Sequence, residues 1–137
     1  MPSEDLENNP VNISITHTEK YVAVILHEEE NVGIDIESLD RDFSAVEKKA
    51  LSEDEIDDLE DEKRNEQLAI YWCAKEAIFK LLSRYNVNFA EQIEVERFRL
   101  RGEGELEATF IDKDEEEEFD LEYITFDRHI LVWVVGE

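Results

Sequence analysis

The sequence holds a single cysteine, Cys73, so it cannot form an intrachain disulfide, and nothing points to an oxidising compartment. It also lacks any apolar run that approaches the length of a membrane span. The first ten residues, MPSEDLENNP, are acidic and lack the apolar stretch of a signal peptide. We therefore expect a cytoplasmic protein that does not enter a membrane.

Positive charge is also scarce. The chain has 14 Lys and Arg against 38 Asp and Glu, which gives a formal net charge of −24 at pH 7. Phosphates would be repelled, so we expect no binding to nucleic acid or to an anionic membrane surface. A divalent cation or a basic partner would be attracted. Adaptation to high salt or plain solubility explains the acidity equally well, and composition leaves these alternatives open.

Apolar residues are present in the amount that a folded protein needs. They make up 42% of the 137 residues, with seven Phe, four Tyr and two Trp. A chain this charged but poor in aromatic residues would instead favour disorder. The length fits one domain with a core of its own. We predict a flexible leader at residues 1–10 and a single domain at residues 11–137.

The domain opens with three predicted strands. The segment VNISITH alternates, with Val11, Ile13 and Ile15 on one face of a half-buried strand. YVAVILH, at residues 21–27, is an almost continuous apolar run, and VGIDIE follows at residues 32–37. Because the connections are short, we expect the three strands to form an antiparallel meander.

Two helix signals come next. Ser52 and Glu55 have the spacing of a capping box, and Leu51 and Ile56 that of a hydrophobic staple. The charged residues that follow predict that this first helix is short or frayed. A second, long helix is predicted over residues 65–84, a segment rich in good helix formers.

The last part of the chain returns to strand patterns. IEVERFRL from residue 93 and ELEATFI from residue 105 alternate, as do FDLEYITF and HILVWVV nearer the end. We interpret the acidic run DKDEEEE, residues 112–118, as a solvated loop. Strands, then helices, then strands predict an α+β fold, with an antiparallel sheet packed against one long helix.

Two acids stand out in the third strand. Asp35 and Glu37 project from the same face, just after Gly33, which lets another backbone or a ligand come close. Such a pair is more often solvated than metal-bound. A third acid, Glu76, lies on the long helix one turn before Lys80. An exposed ion pair explains Glu76 and Lys80 equally well, but three hard oxygen ligands would suit Mg²⁺.

These motifs resemble the signature pair of the 4′-phosphopantetheinyl transferase superfamily. The family pattern is Gly-Ile/Val-Asp and, after a helical stretch, Trp/Phe-Ser/Cys/Thr-x-Lys-Glu-Ala/Ser-x-x-Lys. The matching residues are Gly33, Ile34, Asp35, Trp72, Cys73, Lys75, Glu76, Ala77 and Lys80. Glu37 and the preceding ISITH strand resemble the Sfp-like branch, whose members are pseudo-dimers. The chain looks like the second half-repeat of such a pseudo-dimer.

The resemblance implies an enzyme that moves the phosphopantetheine arm of coenzyme A onto a serine of an acyl or peptidyl carrier protein. Adenosine 3′,5′-bisphosphate would be released. By analogy, Asp35, Glu37 and Glu76 would bind Mg²⁺ against the pyrophosphate, and Lys80 would reach a phosphate oxygen. Lys75 would either assist at the cofactor or neutralise the acidic surroundings.

The resemblance also implies that His17 and Thr18 contact a phosphate of coenzyme A. Either Glu76 or a metal-bound water would take the serine proton, and the sequence does not choose between them. Cys73 occupies a position where the family accepts Ser, Thr or Cys, so we interpret it as helix packing and not as a nucleophile.

The chain has the length of the short holo-carrier-synthase branch, which trimerises, but the motif details of the long one. A homo-oligomer could rebuild the missing half. Alternatively, the chain is a fragment, or a truncated or non-catalytic paralogue that binds metal, coenzyme A or carrier protein. The composition alone leaves one further hypothesis, an acidic interaction module with a basic partner.

Overall fold

The computed structural model describes residues 11–136, so the predicted leader at residues 1–10 lies outside the described residues. The strands, numbered in chain order, are β1 (Asn12–His17), β2 (Val22–His27), β3 (Val32–Ser38), β4 (Ile93–Val95), β5 (Glu103–Asp112), β6 (Glu115–Phe126) and β7 (His129–Val135). The helices are α1 (Ser44–Ala50), α2 (Glu53–Asp57), α3 (Arg64–Leu82) and α4 (Phe89–Gln92), with a 3₁₀ turn at Asp61–Lys63.

Five strands form an antiparallel sheet in the order β3-β7-β6-β5-β4, and α3 packs against it, chiefly over β3 and β7. Buried and exposed side chains alternate along its strands, as expected for a sheet with one face packed on the core. In β6, for example, Phe119, Leu121 and Tyr123 are buried while Asp120 and Glu122 are exposed. The predicted α+β fold, an antiparallel sheet with one long helix, is confirmed.

The predicted three-stranded meander is wrong. β1 and β2 form a separate two-stranded antiparallel sheet, and β3 pairs with β7 at the far end of the chain, with Asp35 opposite Val132. β1 approaches β3 through side chains instead of backbone. The hydroxyl of Ser14 accepts a hydrogen bond from the Ile34 N–H (3.1 Å), and the hydroxyl of Thr16 accepts one from the Ile36 N–H (3.2 Å).

The orientation of β1 is also the reverse of what its pattern predicted. Ser14 and Thr16 are buried, whereas Ile13 and Ile15 are more than half exposed. The physical reason is the edge of β3, whose N–H groups need acceptors and obtain them from the two hydroxyls. The polar face of the strand therefore turns inward and its apolar face turns outward.

The predicted capping box at Ser52 and the predicted long helix are confirmed. Ser52 caps α2, with its side chain accepting from the Glu55 N–H and the Glu55 side chain accepting from the Ser52 N–H. α2 is short, as the charged sequence predicted. α3 ends at Leu82, and the following residue, Ser83, adopts a left-handed conformation (φ 52°) and donates its N–H to the Phe79 carbonyl. Helix α1 was not predicted.

Two boundaries in the last part of the chain differ from expectation. The strand predicted from residue 93 ends at Val95, because the chain leaves β5 after a last bond from the Glu96 N–H to the Glu107 carbonyl (2.8 Å). The acidic run at residues 112–118 is not a loop. Only Lys113 and Asp114 turn the chain, and Glu115 to Glu118 are exposed residues of β6. No helix within residues 11–136 is long and apolar enough to cross a bilayer.

Candidate functional site

The site is built where α3 crosses β3. Gly33 makes this crossing close, because a Cβ added there would lie 1.8 Å from the carbonyl oxygen of Ala77. Ala77 is itself completely buried against the sheet. The expectation that Gly33 admits another backbone is confirmed, and that backbone belongs to α3. The motif glycine therefore sets the distance between the strand that carries Asp35 and the helix that carries Glu76.

Asp35 is buried, with 6% of its surface exposed. Its Oδ1 accepts from the Thr16 hydroxyl and from the Lys80 ammonium, each at 3.3 Å. Its Oδ2 is buried without a hydrogen-bond partner among the described residues. Burial, reinforced by the Glu37 carboxylate, raises the pKa of Asp35 to about 7, and the Lys80 ammonium opposes this shift.

Lys80 lies one turn beyond Glu76 on α3 and connects three groups. Its Nζ donates to the carbonyl of Ile34 in β3 (2.9 Å), to the carbonyl of Ile15 in β1 (3.4 Å) and to Asp35 Oδ1 (3.3 Å). The side chain is 29% exposed, so the charge stays in reach of solvent. Lys80 thus links the hairpin, the sheet edge and the buried acid.

Glu37 and Glu76 are the other two predicted ligands. Glu37 Oε1 accepts from Arg41 (3.0 Å) and its Oε2 accepts from the Trp72 indole (3.2 Å). Glu76 is half-buried, and its carboxylate forms no hydrogen bond within residues 11–136. Burial raises the pKa of Glu76; Lys80 opposes that rise and Glu37 adds to it. The three acids therefore share one electrostatic environment.

The side chains as they stand do not form a metal chelate. Across residues 11–136 no three His, Cys, Asp or Glu side chains are arranged to hold a metal ion. The donor chemistry nevertheless fits Mg²⁺, because all three groups are carboxylates and a buried Asp35 oxygen has no partner. Joint binding by Asp35, Glu37 and Glu76 requires their side chains to rearrange.

Lys75 faces away from these acids. Its fully buried ammonium donates to Glu55 Oε1 (2.6 Å), to the Ala50 carbonyl (2.6 Å) and to the Phe89 carbonyl (2.9 Å). An ammonium has three hydrogens, so none remains for a phosphate. Burial lowers the pKa of Lys75, and Glu55 opposes this. Of the two predicted roles, neutralising an acid is the one that this geometry supports.

His17 and Thr18 lie together at the end of β1. His17 is exposed, and the Thr18 N–H donates to the Tyr21 carbonyl (2.8 Å) to close the turn. The Thr18 hydroxyl is 3.3 Å from His129 Nε2, whose ring packs edge-on against Tyr21. Contact of His17 and Thr18 with coenzyme A stays a prediction.

Cys73 is buried on the sheet side of α3, with its sulfur 3.9 Å from the Ile130 carbonyl. Burial raises the pKa of its thiol well above the usual value, which disfavours the thiolate that a nucleophile requires. Sequence reasoning missed two neighbours of the site, Thr16 and Arg41. Arg41 follows Glu37 by four residues, and Thr16 faces inward in a strand whose polar face was expected outside.

A family model described as the 4′-phosphopantetheinyl transferase superfamily matches residues 31–134. The chain belongs to this superfamily. A search of curated proteins finds no match. The matched segment includes both motifs, with Asp35 on β3 and Glu76 on α3. The sheet and long helix correspond to a single half-repeat of the 4′-phosphopantetheinyl transferase fold, as predicted. Membership supports a phosphopantetheine-transferring function, whereas assignment to the Sfp-like branch stays a prediction.

Proposed function

We propose that this protein transfers the 4′-phosphopantetheine arm of coenzyme A to a serine of an acyl or peptidyl carrier protein, in the cytoplasm and with Mg²⁺. Membership of the superfamily supports the type of reaction. One observation about the site carries the proposal. The buried Asp35 carboxylate has a partnerless oxygen and lies in the shared field of Glu37, Glu76 and Lys80.

The transfer forms a bond between the serine oxygen and the phosphorus that carries pantetheine. It breaks the bond from that phosphorus to the bridging oxygen of the pyrophosphate. The bridging oxygen leaves with the electron pair on adenosine 3′,5′-bisphosphate. Mg²⁺, held by Asp35, Glu37 and Glu76, would supply positive charge against the charge that develops on the pyrophosphate.

The serine proton needs an acceptor. Glu76 is half-buried, its carboxylate forms no hydrogen bond to residues 11–136, and burial raises its pKa above that of an ordinary glutamate. A carboxylate with a raised pKa is a stronger base than an ordinary glutamate, which suits a general base. A metal-bound water is the alternative acceptor.

Lys80 is the candidate phosphate ligand of the chain. Its ammonium is partly exposed, and its longest contact is 3.4 Å, to the Ile15 carbonyl. A phosphate oxygen can replace that contact while the 2.9 Å bond to the Ile34 carbonyl still orients the ammonium. His17 and Thr18, at the end of the same hairpin, are proposed as further phosphate contacts.

A second candidate is a protein of the same fold that binds coenzyme A or carrier protein without turnover. Two observations favour it. No three acids within residues 11–136 are arranged to hold a metal, and Asp35 and Glu37 are already engaged by Lys80 and Arg41. This candidate predicts binding of coenzyme A without a modified carrier. The acidic interaction module predicts neither.

The test is a mass-shift assay with coenzyme A, Mg²⁺ and an apo carrier protein. We expect the carrier to gain the mass of the arm and a chelator to stop the gain. Asp35→Ala and Glu76→Gln should each reduce the rate at least about 100-fold. Glu66→Gln is the matched control, because Glu66 is an exposed glutamate in the first turn of the same helix.

The outcomes separate the candidates. No transfer, beside a working transferase in parallel, refutes the enzymatic proposal, and calorimetric binding of coenzyme A would then favour the second candidate. Transfer that is unaffected by Glu76→Gln removes Glu76 from the mechanism. An equal loss in Glu66→Gln would attribute the effect to general charge and not to the site.

A further inference from the structure

The chain between β4 and β5 contains an extended segment, residues 97–101, without a turn or bend. We call it the arginine segment. In the described part of the chain, no backbone group of this segment bonds to another backbone group. The Tyr123 hydroxyl holds it instead, accepting from the Arg101 N–H (3.1 Å) and donating to the Arg99 carbonyl (3.3 Å). A side chain, and not a neighbouring strand, therefore ties the arginine segment to the sheet.

The other edge of the arginine segment is open. Backbone groups of successive residues in an extended chain point to opposite edges, so those of Phe98 and Leu100 point away from Tyr123. The N–H and C=O groups of these two residues form no hydrogen bond with any residue of 11–136. A row of unpaired groups of this kind is a template for one further strand.

The side chains of the arginine segment alternate. Phe98 and Leu100 pack against the core, and the centroid of the Phe98 ring lies 5.1 Å from that of Tyr71. The outward residues, all exposed, are Arg97, Arg99 and Arg101. The two inward anchors therefore keep three guanidinium groups on the solvent side.

These three arginines differ from the other four of the chain, each of which forms an ion pair with an Asp or Glu. None of the three pairs with an acid of residues 11–136, although the chain holds 38 acids. Unpaired charges at every second residue form a regular row of positive charge. On an added strand, opposite charges at alternate positions would lie beside this row.

A cleft of about 920 Å³ runs between the arginine segment and the 3₁₀ turn that precedes α3. Gln67, only 4% exposed, lines the cleft. Its Oε1 accepts from the Glu60 N–H (2.6 Å), which orients the amide, and its Nε2 donates no hydrogen bond to a described residue. This buried donor is prepared for an acceptor that the described residues do not supply.

The cleft is separate from the proposed metal site. Gln67 precedes Glu76 by nine residues of α3, which corresponds to about 13.5 Å along the helix axis and about half a turn around it. The two residues therefore project from opposite sides of α3.

We propose that the arginine segment and its cleft bind an extended peptide of a partner protein, which adds as a strand beside Phe98 and Leu100. Acidic side chains at alternate positions of the peptide lie beside the three arginines, and flanking Lys or Arg residues face the acidic wall of the cleft. That wall consists of Asp58, Glu60, Asp61 and Glu62. It disfavours a uniform polyanion such as nucleic acid. The proposal does not depend on the proposed enzymatic function.

The test is fluorescence anisotropy of a labelled peptide, Lys-Glu-Val-Glu-Val-Glu-Val-Lys, with the full chain in about 0.15 M salt, which screens distant charges. The matched control is the charge-inverted peptide, Glu-Lys-Val-Lys-Val-Lys-Val-Glu. The net charge of −24 favours the control peptide, so preference for the first peptide must come from the arginine segment. We expect only the first peptide to bind.

Matched variants test the arginines. Arg97→Gln combined with Arg99→Gln should raise the dissociation constant at least about 10-fold. Arg84→Gln combined with Arg128→Gln makes the same change in charge at two exposed arginines that pair with acids elsewhere, and should leave binding unchanged.

Hydrogen exchange tests strand addition separately from charge. The Phe98 and Leu100 amides, which form no hydrogen bond in the free protein, should exchange at least about 10-fold more slowly with the peptide bound. The Ile36 amide, already bonded to Thr16, should not change and is the control.

Several results would overturn the proposal. They are no binding of the first peptide, equal binding of the charge-inverted peptide, equal affinities of the two double variants, and binding that leaves Phe98 and Leu100 exchange unchanged. A single-stranded oligonucleotide that displaces the peptide would assign the arginines to polyanions and also overturn it. Circular dichroism checks folding, and Arg99→Gln alone, compared with Arg84→Gln, replaces the double variant if it does not fold.

Discussion

Gly33→Ala is the sharpest test of how the site is assembled. The added methyl group would lie 1.8 Å from the Ala77 carbonyl oxygen, 2.8 Å from the Ala77 carbonyl carbon and 3.1 Å from the Leu81 nitrogen. All three are backbone atoms, so no side chain can turn aside to make room. Helix α3 has to move away from β3 by roughly 1.5 Å to restore ordinary contact.

The free energy of unfolding should fall by about 3 kcal/mol or more, the upper part of the range for overpacked cores. Two terms set this magnitude. Displacement of α3 opens contacts along a helix whose sheet-facing residues, such as Ala74 and Ile78, are completely buried. Alanine in place of glycine also restricts the unfolded chain, but that gain is only about 0.5–1 kcal/mol. The clash therefore dominates.

Urea unfolding, followed by circular dichroism and by tryptophan fluorescence, measures the change. Gly102→Ala is the control, since a Cβ at Gly102 meets nothing within 4 Å and its φ is not positive. Its stability should stay the same or rise by up to about 1 kcal/mol. A loss below about 1 kcal/mol for Gly33→Ala would refute the close approach of α3 to β3.

Three further predictions concern buried polar groups. Lys75→Met should lower the free energy of unfolding, measured by urea unfolding, by about 3–5 kcal/mol, because it leaves Glu55 buried without its ion-pair partner. Adding Glu55→Gln to this variant should recover part of the loss. Unchanged stability of Lys75→Met would contradict the ion pair. Thr16→Val should lower the free energy of unfolding by about 1–3 kcal/mol, because it removes the acceptor of the Ile36 N–H. Hydrogen exchange of the Ile36 amide should become faster, and unchanged exchange would contradict that hydrogen bond. Cys73, buried with a raised thiol pKa, should react with thiol reagents only as fast as the protein unfolds, and rapid labelling of the native protein would contradict its burial.

Local patterns predicted the elements well. The capping box at Ser52 depends on residues three apart, and α3 depends on a run of good helix formers, so both can be read from a short window. The alternation of β5, β6 and β7 is equally local. The motif pair also named side chains that lie close enough to interact, because the Glu37 carboxylate raises the pKa of both Asp35 and Glu76.

Non-local choices were not predictable in this way. No short window shows that β3 pairs with β7 instead of β2, since the partner lies almost a hundred residues away. The prediction for β1 was wrong because it assumed that the apolar face of a strand is buried and that its polar face is exposed. The motif also does not show in which direction Lys75 points, because consecutive helical residues point about 100° apart. Its neighbour Glu76 can face the site while Lys75 meets Glu55 on another side.

The edge of β3 explains why the hairpin and the acids belong to one arrangement. An exposed sheet edge must satisfy its backbone groups, and here side chains do so: hydroxyls accept from the Ile34 and Ile36 N–H groups and Lys80 donates to the Ile34 carbonyl. The same Thr16 and Lys80 also hold Asp35 Oδ1. Asp35 and the hairpin therefore share two contacts, the Thr16 hydroxyl and the Lys80 ammonium. A ligand that draws Lys80 away from Asp35 would remove one of these two links and leave the other.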